Sequence, residues 1–426
     1  MNSIRSSRKL MPPLDEPIRK DTTSKMNQRQ QDVHWMRKAL SLAKQGQGHV
    51  EPNPMVGCVL VTQDQVEIGA GFHERYGAEH AEPRAIRDAI ERGNEAHLPG
   101  CTAYVTLEPC CHHGKTPPCT KALVDAKVAR VVVSMQDPFA EVAGRGFELL
   151  RQAGMEVVTG IEETSSRELN APYLMRLENA RPWIIGKWAM SLDGKIATHR
   201  QDSQWISSPT SREYVHRLRG RVDAIMVGIE TALADNPMLT CRSEKPAQRT
   251  ARRVVLDSRA RLPAESKLAQ SAKDVPVTLV VGPDACQDNC SKLDSQGVEI
   301  FTVEESAASA RLKVALRSLA TEKGTTNLLC EGGGGVLGSL HDAGMLDELE
   351  VFIAPKLIGN QNAISPLGGT GVGFVCDSAN YQLVDHELLE QDIHSRYRRH
   401  PLLTEGSARP ASRLASPGEV PPSTQK

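Results

Sequence analysis

His80 and Glu82 flank Ala81 and lie upstream of Pro109-Cys110, and Cys119 follows Cys110 after eight intervening residues. One imidazole and two thiols form a ligand set for Zn²⁺ that leaves the fourth tetrahedral position open to water. A carboxylate that stays off the metal can then shuttle protons. His80, Cys110 and Cys119 fit the three ligand positions, and Glu82 fits the acid/base. Together they supply what hydrolytic removal of an amino group from an aromatic ring requires.

These residues need elements that aim them at one point. After His80-Ala81-Glu82, the apolar residues Ala85, Ile86, Ala89 and Ile90 recur at helical steps, which places His80 and Glu82 at a first turn. Residues 103–107 read as a buried strand leading to Cys110. Cys119 opens a helical run over 121–124, and the positive end of a helix favours thiolate over thiol. An isolated His-x-Glu is better explained by a closed zinc site or by ordinary buried residues; the joint pattern reverses that and favours an open site. Cys111 is adjacent to Cys110, and neighbours rarely both reach one tetrahedral ion, so it is read as a packing residue.

Around this set the sequence resembles a known family. From residue 31 to about 172 the chain is similar to the deaminase half of the bifunctional deaminase/reductase family of riboflavin biosynthesis. The eight-residue spacer Cys111-His112-His113-Gly114-Lys115-Thr116-Pro117-Pro118 distinguishes it from common cytidine and adenosine deaminases, which use two residues. Pro52-Asn53-Pro54-Met55-Val56-Gly57 resembles another family segment. The resemblance implies a cytidine-deaminase-like α/β/α domain in which Asn53, His73, His112 and Lys115 hold the pyrimidine and its ribose phosphate. Asn53 can offer an amide donor and acceptor to a ring edge, and Lys115 suits a phosphate. Pro83 departs from the family, but proline is tolerated in a first helical turn.

The 426 residues allow two domains, and 51 basic against 52 acidic residues leave no excess for a polyanion. With 4% aromatics, a nucleic-acid editing deaminase lacks its basic groove and stacking platforms. Ten cysteines without a hydrophobic leader suggest a reducing, cytoplasmic compartment, and no apolar run reaches membrane-span length. Residues 1–30 read as a disordered basic tail and 401–426 as a second, rich in Ser, Pro and Glu. The expected domains are 31–172 and 181–400, divided near 171–182, where turn signals bracket a short polar helix.

The second half alternates strand patterns (183–188, 223–227, 253–257, 277–281, 327–330, 349–355) with helical ones (209–218, 307–320, 335–343), as an α/β sheet domain does. The region 243–251 and the stretch around Cys286 and Cys290 read as surface loops. Cys330-Glu331 runs into four glycines and then a helix, a shape that lets backbone N–H groups approach a phosphate. A glycine run alone equally fits a flexible turn, and the acidic partner of a Rossmann fingerprint is missing.

Here a second resemblance enters, to the reductase half of the same family, with a fold like dihydrofolate reductase. It rests on residues 187–195, 203–207 and 228–237, on Leu256-Asp257-Ser258, on the glycine run and on Ala354-Pro355-Lys356. It implies NADPH contacts at Ala189, Trp205, Thr231, Asp235, Ser258, Gly333, Gly334, Gly335, Val336, Leu337, Gly338 and Ser339. It also implies substrate contacts at Ser203, Arg219, Leu239, Arg242 and Glu331, with Lys187 near the sugar carbon that receives hydride. Arg219 and Arg242 offer planar forks for a ribose phosphate and Glu331 an acceptor for sugar hydroxyls. Each has a plainer explanation: Arg219 as a solvated helix end, Trp205 as core, Lys187 as an edge-strand residue.

The sequence is therefore expected to encode a two-step enzyme with one Zn²⁺ and NADPH, acting on a phosphoribosylated diaminopyrimidinone. It is expected to associate as a homo-oligomer and to bind neither nucleic acid nor membrane. The rivals are an enzyme with one decayed half and a zinc-stabilised binding module; substituting Glu82 by Gln tests the latter.

Overall fold

The computed structural model describes residues 26–112, 117–244 and 247–399. The expected second tail lies wholly outside them, and the first does so except for residues 26–30. Helix α1 (Gln28–Ala43) starts inside the first, because Asn27 and Gln30 form a reciprocal capping box with both hydrogen bonds at 2.9 Å.

The N-terminal unit continues through β1 (Gly57–Val61), β2 (Glu67–Phe72), α2 (Ala81–Glu91), β3 (Thr102–Leu107), α3 (Cys119–Asp125), β4 (Arg130–Met135), α4 (Arg145–Gln152), β5 (Glu156–Thr159), α5 (Glu163–Leu169) and α6 (Ala171–Asn179). Its sheet runs β2-β1-β3-β4-β5, with β1 antiparallel to both neighbours and the remaining pairs parallel. Every residue of β1 is buried, because strand alternation sends Val59 and Val61 toward Met36 and Ala39 of α1 while Cys58 and Leu60 meet Ala81 and Ala85 of α2. The result is an α/β/α sandwich. Gly69 and Gly71 let α2 settle on β2: a Cβ on either would lie within 2.8 Å of the α2 backbone. That close approach fixes the start of α2, where His80 and Glu82 sit.

The C-terminal unit comprises β6 (Trp183–Ser191), α7 (Pro209–Arg219), β7 (Ala224–Gly228), α8 (Ile229–Asp235), β8 (Arg252–Leu256), α9 (Lys267–Gln270), β9 (Val277–Val281), α10 (Gln287–Ser295), β10 (Glu299–Thr302), α11 (Ala308–Thr321), β11 (Asn327–Cys330), α12 (Gly334–Asp342), β12 (Glu348–Ala354), β13 (Tyr381–Leu389) and β14 (Asp392–Arg399). The nine strands are ordered β10-β9-β8-β7-β11-β6-β12-β14-β13. They are parallel from β10 to β12, and a closing antiparallel ribbon follows. On β7, Ile225 and Val227 enter one apolar core and Ala224 and Met226 the other, so helices cover both faces.

One expectation and two of the plainer alternatives are corrected. The Cys286–Cys290 stretch is not a loop: α10 spans most of it and buries Cys290 and Leu293 at a helical step. Lys187 is not on an edge, since β6 lies between β11 and β12. Trp205 is not core; it is 62% exposed under the guanidinium of Arg212, 4.6 Å from the ring centroid.

Polar side chains fix α6 within the N-terminal unit and tie the two units together. Asn170, at the start of α6, clamps the backbone N–H and C=O of Met55 at 2.8 and 3.0 Å. Arg249 of the C-terminal unit donates to the Glu51 carboxylate at 3.3 Å and to the Glu51 carbonyl at 3.2 Å, and also pairs with Asp223.

Candidate active sites

His80 is the N-cap of α2 in an extended conformation, which turns its ring out of the helix toward the ends of β3 and α3. Its Nδ1 lies 3.3 Å from Sγ of Cys119 and 3.5 Å from Sγ of Cys110. The three donor atoms lie within 4.8 Å of one another. Tetrahedral Zn²⁺ bonds of about 2.0–2.3 Å would put nitrogen and sulfur about 3.5 Å apart, so the donors fit that ion in kind and in spacing. Cys119 is the first residue of α3, and its backbone N–H donates to Sγ of Cys110 at 3.3 Å. Donation from the Cys119 thiol outweighs burial and, with His80 beside it, holds the Cys110 thiol down at about 4; the same contact and burial push Cys119 up. Cys111 points elsewhere, to the Glu141 carbonyl at 3.6 Å.

Glu82, in the first turn of α2, is 3% exposed. Burial, reinforced by the neighbouring Cys110 thiolate and opposed by His80, raises its carboxyl to about 7. A carboxyl poised there can both take and return a proton at neutral pH. It lines a cavity of about 300 Å³ together with Asn53, His73, His80, Cys110 and His112. The amide nitrogen of Asn53 is 3.3 Å from Nε2 of His73, whose Nδ1 is 3.0 Å from the Glu79 carbonyl. The carbonyl makes Nδ1 the donor and leaves Nε2 to accept from Asn53. Burial lowers the His73 pKa, which keeps the ring neutral. Lys115 lies outside the described residues.

Several residues of this cavity were not singled out from sequence. Glu108, just beyond β3, accepts backbone N–H bonds from Asp137, Gly144, Gly146 and Phe147 and so shapes the wall. Asp137, beyond β4, accepts from the Tyr173 hydroxyl at 3.0 Å, and Tyr173, Arg176 and Leu177 of α6 close one side. Their signal was positional, because ligand crevices form beyond the carboxyl ends of parallel strands.

At the second site, Glu331 follows β11 and meets Arg219, the last residue of α7. Nε and Nη2 of Arg219 lie 2.5 and 2.8 Å from the two carboxylate oxygens. The Arg219 fork is therefore already taken, because a buried carboxylate demands a counter-charge. Arg242 remains an exposed candidate for a phosphate. Lys187 is half-buried near this pair; burial lowers its ammonium pKa against the pull of Glu331. Leu239 has its side chain in the apolar core, as does Leu337, so contact with any ligand would fall to their backbones.

The glycine run breaks β11 from α12, with Gly333 as the helix N-cap. Gly335, Val336 and Ser339 line a second cavity of about 140 Å³ with Asp257 and Ser258. Thr231 approaches Gly333 closely enough that a Cβ there would lie 3.0 Å from its hydroxyl. Ala189 lies on β6 and Asp235 ends α8, where burial raises its carboxyl pKa against Lys187. Ser203 lies half-buried in the loop before α7.

Comparisons with known proteins agree with this two-site layout. Residues 29–135 match the cytidine and deoxycytidylate deaminase zinc-binding region, and residues 182–395 match the RibD C-terminal domain. The riboflavin biosynthesis protein RibD of Actinobacillus pleuropneumoniae is 38% identical over 362 residues, covering 85% of this chain and 94% of the relative. The chain belongs to the RibD family. Its Escherichia coli relative is 39% identical, with 78% and 89% covered. Acinetobacter baumannii RibD superposes with a TM-score of 0.75 at 35% identity, covering 88% of this chain and all of that one. The diaminohydroxyphosphoribosylaminopyrimidine deaminase/5-amino-6-(5-phosphoribosylamino)uracil reductase of Thermotoga maritima gives 0.73 at 32%, with the same coverage. As a RibD protein the chain is a bifunctional deaminase/reductase of riboflavin biosynthesis, with a cytidine-deaminase-like zinc domain and a dihydrofolate-reductase-like NADPH domain. No helix among the described residues is long and apolar enough to cross a membrane.

Proposed function

We propose that the two sites act in turn on one phosphoribosyl pyrimidine, in the sense the Thermotoga maritima relative's name describes. The diaminopyrimidinone is deaminated to 5-amino-6-(5-phosphoribosylamino)uracil, and the ribosyl side chain is then reduced to ribityl. The observation that carries this reading is Glu82, raised to about 7, sharing one cavity with the three-donor cluster.

His80, Cys110 and Cys119 would hold Zn²⁺, which would supply the Lewis acidity that makes water nucleophilic near neutral pH. Glu82 takes the proton of the attacking water and returns protons to the ring nitrogen and the departing ammonia, so water is consumed and ammonia released. Asn53 and neutral His73 bind the ring edge, and His112 and Lys115 hold the ribose phosphate. In the second site NADPH, when bound, would supply the hydride, and a proton drawn from water completes the gain of two hydrogens. There the α12 start, Thr231 and Ser258 hold the cofactor. Arg242, Lys187 and the Arg219–Glu331 pair orient the ribosyl unit.

The test is mass analysis of the diaminopyrimidinone substrate turned over by the zinc-loaded protein, first without and then with NADPH. Loss of ammonia followed by gain of two hydrogens supports the reading; ammonia loss with no NADPH-dependent reduction contradicts its second half.

A homo-oligomer belongs to the same reading. The ribbon β13–β14 ends the sheet and exposes Leu383, Val384, Leu388 and Ile393 at 42–74%, an apolar edge that favours pairing. Light scattering that returned a monomer at micromolar concentration would contradict it. All ten cysteines are free, which suits a cytoplasmic location, and cell fractionation tests that.

A further inference from the structure

The cavity between β8, α11 and α12 holds a guanidinium that no resemblance assigned. Arg311, on the first turn of α11, lines it opposite Gly335 and Ser339 of α12. Its Nη2 donates to the Ser258 hydroxyl at 2.8 Å, and its Nη1 donates to the carbonyls of Glu305 and Ser306 at 2.6 and 2.5 Å. Three of the five guanidinium N–H groups are thereby used to fix the fork, and two remain. Among the described residues no carboxylate pairs with Arg311, so its charge is uncompensated where it faces the cavity.

The one acid in the cavity wall is buried and held by the backbone. Asp257 lies just beyond β8, the position from which a carboxylate can accept from a ribose 2′-hydroxyl and exclude a 2′-phosphate. Here the Asp257 carboxylate is buried and accepts the backbone N–H groups of Arg261 and Leu262 at 2.5 and 2.8 Å. With Asp257 buried, Oδ1 included, the accessible polar groups lining the cavity at the strand end include the Ser258 hydroxyl and the Arg311 fork, both suited to a phosphate. A pyrophosphate seated on the N-terminus of α12 would place its adenosine ribose in this cavity.

On the reading that this half binds NADPH, we propose that Arg311, with Ser258, recognises the cofactor's 2′-phosphate and sets the preference for NADPH over NADH. Arg311 is a specificity residue and takes no part in the hydride step.

The experiment titrates the full zinc-loaded chain, wild type, Arg311→Ala and Arg311→Lys, with NADPH and with NADH, following cofactor fluorescence without substrate. Adenosine 2′,5′-bisphosphate serves as a competitor lacking the nicotinamide. Wild type is expected to prefer NADPH. Arg311→Ala is expected to bind NADPH and the bisphosphate about 10–100-fold more weakly while NADH affinity stays within about twofold, with Arg311→Lys between. Retained NADH binding shows that the variant is folded. An unchanged NADPH preference in Arg311→Ala overturns the proposal, as does an equal loss for both cofactors in Arg311→Ala and Arg311→Lys. Wild type that binds neither cofactor would instead overturn the NADPH reading beneath it.

Discussion

Arg219 and Glu331 face each other as a two-pronged ion pair, at 2.5 and 2.8 Å, with 14% and 7% of their side chains exposed. They come from different elements, the end of α7 and the end of β11, so the pair fixes a helix to the strand that feeds the glycine run. Burial alone would raise the Glu331 carboxyl, but Arg219 outweighs it and holds it below the ordinary carboxylate range.

Removing one partner leaves a buried charge alone. Arg219→Ala is expected to destabilise the C-terminal unit by about 3–5 kcal/mol and to abolish NADPH-dependent reduction, whereas Arg219→Met with Glu331→Gln recovers much of the stability but not the reduction. Urea unfolding of the three proteins, with NADPH oxidation on the aminouracil, measures both. Equal stability of Arg219→Ala and wild type would contradict this account of the pair.

A second buried pair gives a pH dependence. Asp32 of α1 accepts both prongs of Arg130 at 2.8 and 2.9 Å and the Tyr104 hydroxyl at 3.0 Å. Burial raises its pKa, but these donors more than offset it and the net direction is down. A depressed folded pKa contributes stability above the unfolded value, about 3.9, and that contribution is lost as pH falls through the lower folded value. Asp32→Asn should lower stability at pH 7 and flatten the loss of the N-terminal unit below about pH 4. Identical acid unfolding profiles for the two proteins would show that the pair contributes nothing.

The two sites should separate cleanly on metal loss. Cys119→Ser removes a donor that lies 3.3 Å from His80, and the zinc content of the purified protein should fall along with ammonia release. Reduction of supplied aminouracil should persist, because the second site draws its residues from β6 onward. Metal analysis and the two half-reactions check this; loss of both activities would tie the metal to the fold of the whole chain.

The clustering of His80, Cys110 and Cys119 was legible because these residues sit at element ends marked in sequence: His80 before an apolar helical repeat, Cys119 opening α3. Strands such as Val277–Val281 and Asn327–Cys330 were legible because both faces are buried and the runs are apolar but for Thr278 and Asn327. The ribbon β13–β14 was not, since residues 382–388 are exposed and mix Gln, Asp, His and Glu with leucines, which leaves no period to read. Helix α10 was hidden by its polar composition, with two buried residues in nine. The commitment of Arg219 to Glu331 was also invisible, because 112 positions separate them and only the sheet order brings β11 beside the end of α7.

The central claim is that Glu82 moves protons beside a metal it does not hold, in a chain whose other half reduces the product. Glu82→Gln keeps size and shape while removing the acid/base. The variant is expected to retain one zinc per chain and to reduce supplied aminouracil at the wild-type rate, while ammonia release falls by about 10²–10⁴-fold. Ammonia release at the wild-type rate from a zinc-loaded Glu82→Gln protein would contradict the account.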